Sequence, residues 1–393
     1  MLSNNRWLLP DGIEELLPEE ARSVERLRRE ILNVYDSWGY DLVMPAMIEY
    51  LDSLLTGTAH SLDIKTFTLV DQLSGRQMGV RSDMTPQVAR IDAHYLSDNA
   101  ISRLCYCGHL LHAQADGITS SRSPLQIGAE IYGNESIAAD IEVVCLMLET
   151  LHTAGLDNVS IDLGHVGIFR NLIQESELGE DTESQLFNML QRKSMPELNG
   201  FLEKLKIKNQ LREHVCQLAL LNGDVSIVKQ ARQVFSICST ELLQALDHIE
   251  TVALAVQVEF PDTLIHCDLS ELRGYEYHTG LVFAAFQAGQ GKEIARGGRY
   301  DDVGAAFGEA RPATGFSTDL HALNRLSTRE AEKSSAILAP DIDSAALRRT
   351  IRKLRKDNQR VIIDLSAGNL SASEQQCDRQ LIQQGESWQV IEI

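Results

Sequence analysis

Hydrophobic positions change period several times along the chain, and each change predicts an element. Ala21, Val24, Leu27, Ile31, Val34 and Trp38 recur at three- and four-residue spacing, as in a helix with one buried stripe. Acidic residues open this stretch and Gly39 closes it, so a helix is predicted over Pro18 to Trp38. YDLVMPAMIEY then alternates and meets Pro45, whose missing N–H suits an edge strand or a subunit boundary. Two β-rich runs, Lys65 to Val70 and Gln77 to Arg81, flank QLSG and predict a hairpin. In SDMTPQVARI, Thr85 stands just before Pro86 and is expected to cap the helix that follows.

Helical periodicity returns from Ala139 to Ala154, and Val159 to Leu163 reads as a strand. From roughly Val166 to Phe260 one helical period follows another with almost no strand signal, which predicts an all-helical insertion. Strands resume at LIHCDL and TGLVFAAF, separated by LRGYEYH; GGRYDDV reads as a glycine-rich turn and ATGFSTDLHALNRL as a strand and a helix. GQGKEIARGG, from Gly289, does not fit a phosphate-binding loop and reads as a hairpin turn. A polar linker, Ser327 to Ser335, leads to a small α/β unit. It comprises AILAP, a helix around Leu347, Ile351 and Leu354, the strand RVIIDL, a polar helical stretch and WQVIEI. The expected domains are therefore a discontinuous core (1–165 and 261–327), the insertion (166–260) and the terminal module (328–393).

Composition narrows the function classes. At 393 residues, 44% hydrophobic and 23% charged, the chain can bury a large core in two or three domains. Its 36 basic and 56 acidic residues give a formal net charge of −20, which repels a phosphate backbone and disfavours nucleic acid as a partner. One helix concentrates Arg348, Arg349, Arg352, Lys353, Arg355 and Lys356, a run that reads as a solvated face, with a patch for an anionic partner as the alternative. Seven irregularly placed cysteines without a CxxC pair point to a reducing compartment, the cytoplasm. Cys105, Cys107 and Cys267 lack metal spacing, so neither metal nor cofactor is expected. No apolar run approaches ~18 residues, and no membrane association is expected.

Five segments, in order, resemble the catalytic core of class II aminoacyl-tRNA synthetases, specifically histidyl-tRNA synthetases, over about Leu9 to Leu326. The helix ending at Gly39 with YDLVMPAMIEY is similar to the dimerisation motif, and SDMTPQVARI to the segment that contacts the amino group of histidine. LQIGAEIYG resembles the end of motif two and LRGYEYHTGLVF the histidine-specific signature; GGRYDDV with GFSTDLHAL takes the place of motif three. The resemblance implies an α+β fold: an antiparallel sheet flanked by helices, with an all-helical insertion and a small C-terminal α/β module. It also implies a histidine pocket, with Asp83, Thr85 and Gln126 at the ammonium and Glu130 accepting from an imidazole nitrogen. Tyr277 and His278 would lie at the ring, and Arg273 on the carboxylate. Each also has a purely structural reading: Asp83 as a cap, Gln126 and Glu130 in a polar network, Arg273 paired with Glu271 or Glu276.

The departures matter more. His112 stands where a working synthetase has the arginine that clamps the α-phosphate, and Gln114 where it has an acid. Ala322, with Asp319 nearby, replaces the motif-three arginine. Losing one such contact typically costs about 10² to 10³ in rate, so adenylation is expected to be absent and no residue is assigned a catalytic role. SDMTPQVARID, SSRSPLQIGAEIYG and LRGYEYHTGLVFAAF are also similar to the regulatory subunits of ATP phosphoribosyltransferase, in histidine biosynthesis. That resemblance implies three partners: the short-form catalytic subunit, L-histidine as allosteric ligand, and a second copy of the chain within a hetero-oligomer, by family likeness a hetero-octamer. Two other readings stay open, a divergent active histidyl-tRNA synthetase and a stand-alone sensor of histidine or uncharged tRNA.

Overall fold

The computed structural model describes residues 8–56, 64–98, 100–115, 121–174, 178–205, 207–271, 274–275, 277–308, 310–329, 335–366, 368–385 and 387–393. These form two units, 1–329 and 330–393. The larger begins with α1 (Pro18–Ser37), whose buried stripe is Val24, Leu27, Ile31 and Tyr35. It continues through β1 (Asp41–Leu42), β2 (Ile48–Tyr50), α2 (Leu51–Leu55), the hairpin β3 (Phe67–Val70) and β4 (Gln77–Val80), and α3 (Thr85–Ile91). Next come β5 (Ser102–His109), β6 (Leu125–Tyr132), α4 (Ile137–Thr153) and β7 (Val159–His165). The helices α5 (Val166–Ile173), α6 (Glu180–Gln191), α7 (Met195–Leu202), α8 (Asn209–Leu218), α9 (Ile227–Val234) and α10 (Thr240–Glu259) follow, with the two-residue β8 (Asn222–Gly223) among them. Then β9 (Leu264–Asp268), β10 (Leu281–Gln287), β11 (Ala295–Arg299), β12 (Ala313–Asp319) and α11 (Leu320–Leu326) complete the unit.

Nine strands form one sheet in the order β1-β5-β6-β12-β11-β10-β7-β9-β8, antiparallel except for the parallel pairs β1–β5 and β7–β9. Residues directly opposed across the ladders share a face, and the two faces differ in character. One row runs Cys105, Ala129, Phe316, Gly297, Phe283, Leu163, Cys267. Apart from its glycine, this row belongs to a single apolar core with α1, α4 and α10. The opposite face carries the row Leu104, Glu130, Gly315, Gly298, Val282, Gly164 and the row Tyr106, Gly128, Ser317, Arg296, Ala284, Asp162. Six of those twelve positions are glycine, alanine or serine, which leaves a hollow above the sheet where the few large polar side chains stand.

GGRYDDV departs from its expectation as a turn. Gly297 and Gly298 lie inside β11, because a Cβ at 297 would come 2.2 Å from the Gly315 carbonyl and one at 298 would come 2.7 Å from that of Leu281. These glycines serve close backbone approach rather than a reversal of the chain.

The smaller unit orders β14 (Val361–Ile363), β13 (Ile337–Ala339), β15 (Arg379–Gln384) and β16 (Ser387–Glu392) in one sheet; α12 (Ala345–Lys356) buries Leu347 and Ile351. The polar helical stretch expected after RVIIDL is a run of turns followed by β15, whose hairpin register with β16 buries Leu381. Among the described residues, no helix is long and apolar enough to cross a membrane.

Candidate functional site

The hollow is a cavity of about 460 Å³. Its floor is Glu130, projected from β6 into space that exists because its cross-strand neighbour is Gly315. Glu130 is 1% exposed and surrounded by hydroxyls. Oε1 accepts from Tyr106 OH at 2.8 Å and Thr85 Oγ1 at 3.1 Å, and Oε2 from Tyr300 OH at 2.6 Å. Burial is the largest influence and pushes this carboxyl up to about 8, although the three hydroxyls lower it. At neutral pH Glu130 is mostly the uncharged acid.

Beside it, the turn into α3 presents Asp83. Thr85 does not cap this helix with its side chain; Asp83 Oδ1 accepts from the Thr85 N–H at 3.1 Å. The Thr85 hydroxyl is thereby free to reach Glu130. Asp83 Oδ1 also accepts from Gln126 Nε2 at 2.8 Å. Gln126 donates to Ser317 Oγ as well (3.1 Å) and accepts from the Met84 N–H (2.9 Å). With both ends engaged, Gln126 stands behind Asp83 rather than on the cavity wall, and its geometry is that of an orienting group. Asp83 itself lines the cavity and has no basic partner among the described residues.

Tyr277 and His278 form the adjoining wall, rings 5.4 Å apart and nearly perpendicular. The Tyr277 hydroxyl is buried without a hydrogen-bond partner among the described residues. His278 Nδ1 lies 3.2 Å from the Arg299 carbonyl. A carbonyl only accepts, so Nδ1 carries the proton and Nε2 is left as an acceptor. Burial pushes His278 down to about 4 and keeps the ring neutral. Arg273 lies outside the described residues.

The substituted synthetase positions lie off the cavity wall. His112 Nε2 is 2.9 Å from the Ser82 carbonyl, and its backbone N–H donates to Arg122 O at 2.8 Å, so it ties together the segments that follow β4 and precede β6. Gln114 is exposed, and Ala322 sits in α11. Asp319 Oδ1 accepts from the N–H groups of Leu125 and His321, both at 3.1 Å. The start of α11, which would attract an anion, already holds the protein's own carboxylate.

Several residues that line the cavity or hold Glu130 escaped the sequence reading. Tyr106 and Tyr300 look like core aromatics, and Gly315 like an ordinary strand glycine. Phe187 belongs to the helical run, and Tyr275 differs little from its tyrosine neighbour. Of these, Tyr300, Tyr275 and Gly315 carried a signal, their places in GGRYDDV, LRGYEYH and GFSTDLHAL.

Comparison with known proteins bears on this geometry. The profile of the histidyl-tRNA synthetase family matches residues 12–323, and that of the ATP phosphoribosyltransferase subunit HisZ C-terminal domain matches 334–391. The chain is 50% identical over 395 residues to the ATP phosphoribosyltransferase regulatory subunit of Thioalkalivibrio sulfidiphilus, covering 100% of both chains. It is also 50% identical, with the same coverage, to that of Pseudomonas fluorescens. Among solved structures, an ATP phosphoribosyltransferase regulatory subunit/histidyl-tRNA synthetase from Bacillus halodurans superposes with a TM-score of 0.83 at 25% identity, covering 95% of this chain and 97% of that one. A histidyl-tRNA synthetase from Nostoc shares the fold, with a TM-score of 0.78 at 20% identity over 96% and 91% of the two chains.

Proposed function

The chain belongs to the ATP phosphoribosyltransferase regulatory subunits, and on that premise we propose that it activates the short catalytic subunit of that enzyme and makes it sensitive to L-histidine bound in the cavity above β6 and β12. The observation that carries this reading is one cavity that holds, among the described residues, a carboxylate without a basic partner, Asp83, and a buried hydroxyl without a hydrogen-bond partner, Tyr277. An amino acid with a hydrogen-bonding ring answers both needs. Its ammonium pairs with Asp83, which Gln126 holds in place, while the imidazole exchanges hydrogen bonds with Glu130, Tyr277 and His278 Nε2. Arg273 is assigned to the ligand carboxylate. The substitutions at 112, 114 and 322 support binding without adenylation, since phosphate positioning rests on cations that are not there.

Regulation follows if histidine favours one arrangement of the complex over another. A coupling of ~1 to 3 kcal/mol changes partner activity or affinity about 5- to 150-fold, and ligands of the two subunits then alter each other's affinity reciprocally. Two copies are assigned to pair through the β1–β2 segment, with catalytic subunits joining that dimer in a hetero-octamer.

The test is co-expression with a short catalytic subunit. Phosphoribosyl-ATP is expected to form faster in the presence of this chain and to be inhibited by histidine. Glu130→Ala or Arg273→Ala is expected to abolish inhibition while activation persists; unchanged inhibition in both sinks the pocket assignment. Histidine-dependent pyrophosphate exchange by the chain alone would contradict the absence of adenylation.

A further inference from the structure

The cavity is not walled by the synthetase-like core alone. Phe187, from α6 of the helical insertion, lines it beside Tyr275 of the LRGYEYH segment. Tyr275 is held by four residues of the insertion. Its ring packs at 5.3 Å from Phe187 and 5.6 Å from Phe169 of α5, its hydroxyl donates to Glu183 Oε1 of α6, and the Arg170 guanidinium lies over the ring at 5.1 Å. Burial pushes the Tyr275 phenol up to about 12, so it remains a donor throughout the physiological range.

Tyr275 shares one tight turn with the two ring-facing residues. The N–H groups of Tyr277 and His278 both donate to the Gly274 carbonyl, at 2.8 and 2.7 Å. Gly274 has φ +71°, and a Cβ there would come 2.5 Å from His278 Cδ2. Arg170 reaches the carbonyls of both Tyr275 and His278, at 3.5 and 3.3 Å. A displacement of Tyr277 or His278 is therefore passed to Tyr275, because turn and clamp leave little slack between them.

We propose that the helical insertion is part of the ligand site and reports its occupancy, with Tyr275 as the coupling residue between the cavity and α6. This rests on the histidine reading above. The hydrogen bond to Glu183 converts a small shift of the turn into a shift of α6, and the insertion becomes the element that differs between the free and histidine-loaded states.

The test compares the full chain with its Glu183→Ala and Tyr275→Phe variants, using calorimetric titration with L-histidine and amide hydrogen exchange on the same preparations. In the unmodified chain, saturating histidine is expected to slow exchange across residues 180–191 by about 5-fold or more. In Glu183→Ala, which lies off the cavity wall, histidine affinity is expected to stay within about 3-fold while the slowing of α6 is lost. Tyr275→Phe, which keeps the ring and removes only the hydroxyl, is expected to lose the same slowing. Equal slowing in all three proteins, or none in the histidine-saturated unmodified chain, overturns the proposal. An unmodified chain that gives no binding heat overturns the histidine reading instead, and this proposal with it.

Discussion

Gly315 on β12 stands directly across from Glu130 on β6, and a Cβ at position 315 would lie 1.4 Å from Glu130 Oε2. The Ala129 carbonyl, 2.8 Å from the same point, blocks the other side, so the added methyl and the carboxyl cannot share the space between Tyr106 and Tyr300. Gly315→Ala is therefore expected to push Glu130 out of its hydroxyl ring. The fold should survive at a cost of about 1 to 3 kcal/mol, as is usual for overpacking. Histidine binding should fall below detection. Calorimetry together with urea denaturation checks this, and a stable Gly315→Ala chain that binds histidine normally would contradict the role given to Glu130.

The same burial makes stability depend on pH in a defined direction. Glu130 titrates at about 8 when folded and near 4.5 as a free side chain, so between those values the folded state holds a proton that the unfolded state releases. Its contribution is fully favourable below about 4.5 and is lost as pH rises through about 8. Since a tenfold change in proton affinity is equivalent to ~1.36 kcal/mol, the loss is on the order of a few kcal/mol. Glu130→Gln, which mimics the protonated acid, is expected to remove this part of the decline. The Tm difference between variant and parent should thus move in favour of the variant from about pH 5 to about pH 9; a constant difference would show that Glu130 does not titrate as described.

How much of this was legible in the sequence depends on the distance over which the information acts. Val24, Leu27 and Ile31 declare α1 because one-sided burial imprints a helical period on neighbouring residues. Likewise Gln126 and Glu130 fall on one face because strand alternation is local. What that alternation does not carry is that Asp83 meets Gln126 from 43 residues away, leaving Gln126 a supporting part, or that Tyr106 and Tyr300 reach Glu130 from 24 and 170 residues away. Gly297 misled because a glycine needed for close approach looks the same as one needed for a turn. Arg379 to Gln384 misled because its polar glutamines are neutral between helix and strand until the β16 hairpin fixes them.

Histidine affinity should itself be pH-dependent on both sides. The loaded site needs one proton shared between Glu130 and the ligand ring. Below the imidazole value of ~6.5 both partners carry a proton and binding must release one; above about 8 both have lost it and binding must take one up. Affinity is expected to be greatest between these limits and to fall up to about tenfold for each pH step of one outside them. Glu130→Gln should lose the alkaline flank while retaining the acidic one. Titrations at about pH 5.5, 7.2 and 9 check this, and an affinity unchanged between the last two would show that the Glu130 proton is not used.

The segment that runs from β1, at the edge of the large sheet, into β2 of a separate three-stranded sheet carries the last expectation. Leu42, Met44, Met47, Ile48 and Tyr50 are 45%, 80%, 46%, 45% and 37% exposed within nine residues, a density of apolar surface that soluble chains rarely leave uncovered. β1 has β5 as its one strand neighbour among the described residues, and Pro45 removes a ladder donor just beyond it, so the segment is suited to side-chain packing against a second copy rather than to strand addition. The chain is expected to sediment as a dimer. Met44→Asp with Met47→Asp places unpaired carboxylates in that contact, and each ~1.4 kcal/mol so lost raises the dissociation constant tenfold. A predominantly monomeric double variant at micromolar concentration is the expected result, and an undisturbed dimer would move the interface elsewhere.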